Sequence, residues 1–297
     1  MIKTENFKYN ATIDWIELEI ATVDKSNFQS MKRAAGIKFV EAINAEDSGA
    51  SKNFKLKYHD ITSWHVLEKI VDELNYIKPL SDVRISGVEI SFDAYSIKND
   101  RNELIEKTAE FYWFLQKPCS VNRRVVTSYK GSAEQLLNHQ STIRRIDDGY
   151  SILIGSQKDD LCSQRIYYKT IDSKTLLPIQ EHRARYEITL IGDACPFHTI
   201  EEAKAYKFSD LKEWFKFRKI KENISSTNLM LTKASRQLGS INGRRRTGGG
   251  VRVNSYGTQA NVTLNRIAYD KLRGLTKRLQ SKHIPRKLRV INIKNTL

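Results

Sequence analysis

Three short stretches of this 297-residue chain place acids, cations and a phenol at alternate positions. "GVEISFDAY" offers Glu89 and Asp93, "QRIYYK" offers Arg165, Tyr167 and Lys169, and "HRARYEITL" offers Arg185 and Glu187. Side chains two residues apart in a strand share a face, so three such strands side by side would gather these groups into one patch. Carboxylate oxygens are hard ligands that suit Mg²⁺ or Mn²⁺, and such an ion polarises a phosphodiester while Lys or Arg offsets the charge that develops. A tyrosine in that setting is a nucleophile for phosphorus. Its phenol, with an ordinary pKa of about 10, needs a cation, a metal or a base to ionise, and Arg165 and Lys169 flank it. The competing reading is a solvent-facing side of an antiparallel sheet, whose cross-strand charge pairs contribute roughly 0.2 to 1 kcal/mol each.

Parity separates the adjacent tyrosines. Tyr167 shares its face with Arg165 and Lys169, whereas Tyr168 lies with Ile166 and is assigned to packing. His182, next to the third stretch, is either a further metal ligand beside Glu187 or a hydrogen-bonded loop histidine.

The elements that must position these groups read as mixed α and β. "ATIDWIELEIA" and "KNFKLKYHDI" alternate as strands, and so do "SGVEISFDAYS" and "HRARYEITLIG". "TSWHVLEKIVDELNYI" carries Val66, Leu67, Ile70, Val71 and Leu74 at helical spacing, with Ser63 as its cap. A second helix is expected over "NELIEKTAEFYWFLQK", ending at Pro118. "GYSILIGSQKDDLCSQRIYYKTID" has two alternating arms around a polar loop and reads as a hairpin with the twin tyrosines on its second arm. Residues 199–222 are expected to be helical, as is "LNRIAYDKLRGLTKRLQSK".

The formal charge of +16 is concentrated near the C-terminus, because Asn223–Leu297 holds 16 Lys and Arg against one acid, Asp270. That block is an electrostatic footprint for a polyanion. Few large apolar anchors accompany it, which favours nucleic acid over a membrane surface. "GRRRTGGG" combines Arg244, Arg245 and Arg246 with glycines that let the backbone follow phosphates, and Arg252 follows. Arg266, Lys271, Arg273, Lys277, Arg278 and Lys282 lie along the polar side of the last expected helix.

An apolar content of 40% is enough for a core. The N-terminal "MIKTENFKYNATIDW" has no signal-peptide pattern, and no apolar run is long enough for a membrane span, so a cytoplasmic protein is expected. Cys119, Cys162 and Cys195 have neither disulfide-framework nor zinc-module spacing and read as reduced thiols.

Taken in order, "GVEISFDAY", "YSILIGSQKDDLCSQRIYYK" and "RARYEITL" resemble the signature strands of the rolling-circle replication initiation factors of plasmids and filamentous phages. The matching positions are Glu89 with Asp93, Ile154-Gly155-Ser156 with Arg165, Tyr167 and Lys169, and Arg185 with Glu187. "IDWIELEI" resembles the family's first strand, so the likeness spans roughly residues 10–192. Glu89 stands where the family more often has Asp, and Tyr168 where it has Asp or Asn.

The resemblance implies an α+β fold like that of the His-hydrophobe-His nucleases, an antiparallel sheet backed by helices with a basic C-terminal region. It implies a tyrosine that nicks one strand of origin DNA, stays on the 5′-phosphate and leaves a 3′-hydroxyl primer. Catalysis is then expected from Tyr167, Lys169 and Arg165, and Mg²⁺ or Mn²⁺ ligation from Glu89, Asp93, Glu187 and His182. The expected partners are single-stranded, hairpin or duplex origin DNA and a host helicase or replisome. The domain division that follows is a nicking domain over 1–200 and a helical, basic DNA-binding region over 201–297. Two alternatives stand beside it: a non-enzymatic DNA-binding or regulatory protein, and a tyrosine recombinase suggested by the His-x-x-Arg at His182 and Arg185.

Overall fold

The computed structural model describes residues 3–116, 125–129, 132–135, 139–155, 161–172, 174–223, 225–226 and 258–281. Arg244, Arg245, Arg246, Arg252, Lys282, Cys119 and Ser156 lie outside them.

Nine strands form one large sheet in the order β2-β3-β1-β4-β11-β8-β7-β5-β6. They are β1 (Phe7–Asn27), β2 (Phe39–Ile43), β3 (Ala50–His59), β4 (Leu80–Ser96), β5 (Val125–Tyr129), β6 (Ser132–Gln135), β7 (Ser151–Ile154), β8 (Cys162–Lys169) and β11 (Arg183–Ile191). The β2–β3–β1 and β8–β7–β5–β6 runs pair antiparallel. A small hairpin, β9 (Ile171–Asp172) with β10 (Thr175–Leu176), leads from β8 towards β11, and β12 (Arg218–Ile220) pairs with β13 (Thr258–Ala260). The helices are α1 (Phe28–Ala35), α2 (Trp64–Ile77), α3 (Arg101–Phe114), α4 (His139–Asp147), α5 (Ile200–Ala205) and α6 (Val262–Leu279). The architecture is α+β, a large antiparallel sheet backed by helices.

The described residues divide into two compact units that interleave along the chain. The first draws on Met1–Ala11, Ser91–Ile188 and Ser209–Leu272, the second on Thr12–Ile90, Thr189–Phe208 and Arg273–Leu297. Strands β1, β4 and β11 contribute residues to both.

The first unit is organised around Phe92, whose ring stacks on Tyr9 at 5.5 Å and meets Phe111, Phe215 and Phe217 at 5.8 to 6.2 Å. Tyr186 is wholly buried there: its hydroxyl donates to the Trp214 carbonyl at 2.8 Å and accepts from Gln164 Nε2 at 3.0 Å. These contacts explain why the helix expected over 199–222 is short. After α5 the chain forms a 3-10 helix, Phe208–Phe215, and then the strand β12. Phe215 closes the 3-10 helix, and Phe217, also buried, lies where the chain has turned extended.

In the second unit, Trp64 packs against Phe197 at 5.8 Å and Phe208 at 6.3 Å. Ile16, Leu18, Ile20, Phe54, Leu56, Leu67 and Leu74 are buried with them. Ser63 caps α2 as the sequence suggests, its Oγ accepting from Val66 N at 3.3 Å. In the first unit, Asp100 caps α3 through Asn102 N and Glu103 N at 2.8 and 3.2 Å, and α3 ends at Phe114, ahead of Pro118 in the sequence. In the second unit, Gly87 permits a close approach: a Cβ there would lie 2.8 Å from Ile191 Cγ2 and 3.3 Å from the Trp15 ring.

No helix among the described residues is long and apolar enough to cross a membrane. Cys162 and Cys195 are free thiols.

Candidate active site

β4 and β11 each divide into two faces. Val88, Ile90, Phe92 and Ala94 alternate with Glu89, Ser91 and Asp93, and Ala184, Tyr186, Ile188 and Leu190 alternate with Arg183, Arg185, Glu187 and Thr189. Both sets are buried. The polar set is therefore enclosed, and each member needs a partner. On β8, Gln164, Ile166 and Tyr168 lie with the apolar set, and Arg165 and Tyr167 carry the polar one.

Tyr167 is the centre of the polar face. Its hydroxyl donates to Glu187 Oε1 at 2.7 Å, the same oxygen that accepts from Arg185 Nη1 at 3.3 Å. The Arg165 guanidinium lies 4.3 Å from the centre of the Tyr167 ring, held by Ser151 Oγ at 3.3 and 3.2 Å. Burial, and next the Glu187 charge, push the Tyr167 phenol well above its ordinary pKa of 10.0; Arg185 and Arg165 oppose them. The cations that act on this phenol are Arg185 and Arg165. The Lys169 ammonium instead pairs with Asp172 at 3.0 Å.

In the second unit two carboxylates converge. One oxygen of Asp14 and one of Glu89 lie within 4.8 Å of each other. Like charges at such a spacing repel by on the order of 3 to 4 kcal/mol at an effective dielectric near 20. Carboxylate oxygens without nitrogen or sulfur fit a hard divalent ion. Glu89 is further fixed by Thr189, whose Oγ1 donates to Glu89 Oε2 at 2.6 Å.

Two expected ligands are engaged elsewhere. Asp93 is taken by a fork, Arg185 Nε on Oδ1 and Nη2 on Oδ2, each at 2.7 Å, with Arg183 Nε at 3.4 Å from Oδ2. A carboxylate so saturated supports the guanidinium rather than an ion. His182 has its Nε2 on the Leu177 carbonyl at 3.0 Å and its Nδ1 on the Tyr168 hydroxyl at 2.9 Å. A carbonyl accepts only, so Nε2 carries a proton. The contact with Nδ1 anchors Tyr168 with the packing set, as parity suggested.

Asp14 escaped the sequence reading, although a signal was there. It precedes Ile16, Leu18 and Ile20 at every second position of "IDWIELEI", an acid in line with buried residues. Burial along β1 also shifts from odd to even positions between Trp15 and Ile16.

The basic set divides. Arg266, Lys271, Arg273, Lys277 and Arg278 are exposed on α6, while Leu264, Ala268, Leu272, Leu275 and Leu279 of the same helix are buried.

No protein-family model and no curated protein matches this sequence. Among solved structures, a rolling-circle replication initiator protein from Geobacillus stearothermophilus is similar at 11% identity with a TM-score of 0.37, over 93% of this chain and 100% of that one.

Proposed function

We propose that this protein is a replication initiator of the rolling-circle type, nicking one DNA strand through Tyr167. The observation that carries the reading is the 2.7 Å contact of Tyr167 Oη with Glu187. In the proposed step Tyr167 Oη bonds to phosphorus and passes its proton to Glu187 Oε1. The bond from phosphorus to the 3′-oxygen breaks, leaving a 5′-phosphotyrosine, and the released oxygen takes a proton from water as the 3′-hydroxyl. Arg185 and Arg165 favour the phenolate, and Arg185 is held in place by Asp93. Asp14 and Glu89 would hold Mg²⁺ or Mn²⁺, which would supply Lewis acidity towards a phosphodiester oxygen.

Under this reading residues 1–200 carry the nicking chemistry and 201–297 supply the grip on origin DNA. The exposed cations of α6 fit that second role. Because the leucines of α6 are core residues, removing the helix would damage the fold, and neutralising its exposed face is the cleaner probe. Each phosphate-binding cation neutralised should reduce the slope of log affinity against log salt by about 1.

The deciding experiment incubates the protein with Mn²⁺ and labelled single-stranded origin oligonucleotides. A covalent adduct retained in Tyr168→Phe and absent in Tyr167→Phe supports the proposal. Binding without an adduct would leave a DNA-binding protein, and a duplex-exchange product a recombinase.

A further inference from the structure

We infer that Thr189 is a positioning residue for the carboxylate cluster, fixing Glu89 for a divalent cation. The inference rests on the reading of Asp14 and Glu89 as cation ligands. β11 contributes, at Thr189, the hydroxyl that orients the ligand from β4. Thr189 is buried, and its hydroxyl reaches Glu89 Oε2 at 2.6 Å, the length expected for a hydroxyl donating to a charged acceptor. A β-branched residue in a strand has few χ1 choices, so the hydroxyl direction is set by the backbone. Holding one oxygen of Glu89 fixes the plane of its carboxylate, and with it the direction of the other oxygen. It also counters the tendency of two crowded carboxylates, Asp14 and Glu89, to swing apart.

The prediction concerns ion affinity. Removing the hydroxyl while keeping the volume, in Thr189→Val, should weaken Mn²⁺ binding roughly tenfold to a hundredfold, the usual effect of losing a partner of a metal ligand. Thr189→Ser should restore it to within about threefold. Thr189→Ala, read against Thr189→Ser, gives a second pair that differs by the same hydroxyl.

Calorimetric Mn²⁺ titration of the full chain is the test, with Glu89→Gln as the control that loses a ligand and circular dichroism to monitor folding. Weak binding in the valine and alanine variants with recovery in serine supports the inference. Wild-type-like binding in valine, or serine as weak as valine, overturns it and leaves the cation site standing. Absence of Mn²⁺ binding by the wild-type chain overturns the cation site and this inference together.

Discussion

Two regions of the large sheet are built from the same kind of sequence and end in opposite electrostatic situations. On β1 and β3, Glu17 and Glu19 face Lys57 and Lys55 across the register, and β2 adds Glu41 opposite Lys55. These charges form a ladder at the surface. Lys57 reaches Glu17 at 3.8 Å and lies 3.7 Å over the Trp15 ring, and Arg84 reaches Glu19 at 2.8 Å. On β4, β8 and β11 the same alternation yields Asp93, Arg185, Glu187 and Tyr167, bonded in that order in a chain, with the Arg185–Asp93 pair at most 4% exposed. Water screens the first set, so its geometry is loosely held and adds little. Enclosure makes the second set strict, because every missing partner leaves a charge without solvent.

Breaking the enclosed set should have the largest effect. Arg185→Leu leaves Asp93 buried without its fork and should cost about 3 to 5 kcal/mol in urea denaturation. A cost near that of a surface substitution would show that the cluster is solvated after all.

Alkaline pH sharpens the contrast through the tyrosines. Burial pushes the phenols of Tyr9, Tyr58, Tyr167 and Tyr186 above 10.0, and for Tyr9 and Tyr167 a nearby carboxylate adds to it. Their folded pKa exceeds the unfolded one, so their contribution is intact below pH 10 and lost as pH rises beyond it. Each phenol held neutral should lower stability by about 1.4 kcal/mol per pH unit above 10. Denaturation between pH 8 and 11 should show a shallower decline for Tyr167→Phe, and the wild-type decline for Lys57→Ala.

Tyr168→Phe removes only the bond to His182 and should cost about 0.5 to 1.5 kcal/mol. A loss of several kcal/mol would place Tyr168 in a tighter network than its single bond suggests. Lys57→Ala should cost the least, about 0 to 1 kcal/mol, and 1 M salt should erase most of the difference in melting temperature.

The elements themselves were largely legible. Period-two alternation located β4, β8 and β11, helical spacing located α2, α3 and α6, and Ser63 marked the start of α2. Local pattern failed over 199–222, where Phe215 and Phe217 follow their aromatic neighbours instead of helical periodicity.

Within the site, sequence parity by itself put Tyr167 on a polar face and Tyr168 on a packing face. It put Glu89 in line with Asp93, and Arg185 in line with Glu187, as well. Only the tertiary structure decided who partners whom. It turned Asp93 towards Arg185, spent both nitrogens of His182 on Tyr168 and Leu177, and brought in Asp14 from a strand some 75 residues before Glu89. Alternation is a property of a single strand and survives in its sequence. Burial and partnership depend on the order of strands in the sheet, which no local pattern encodes.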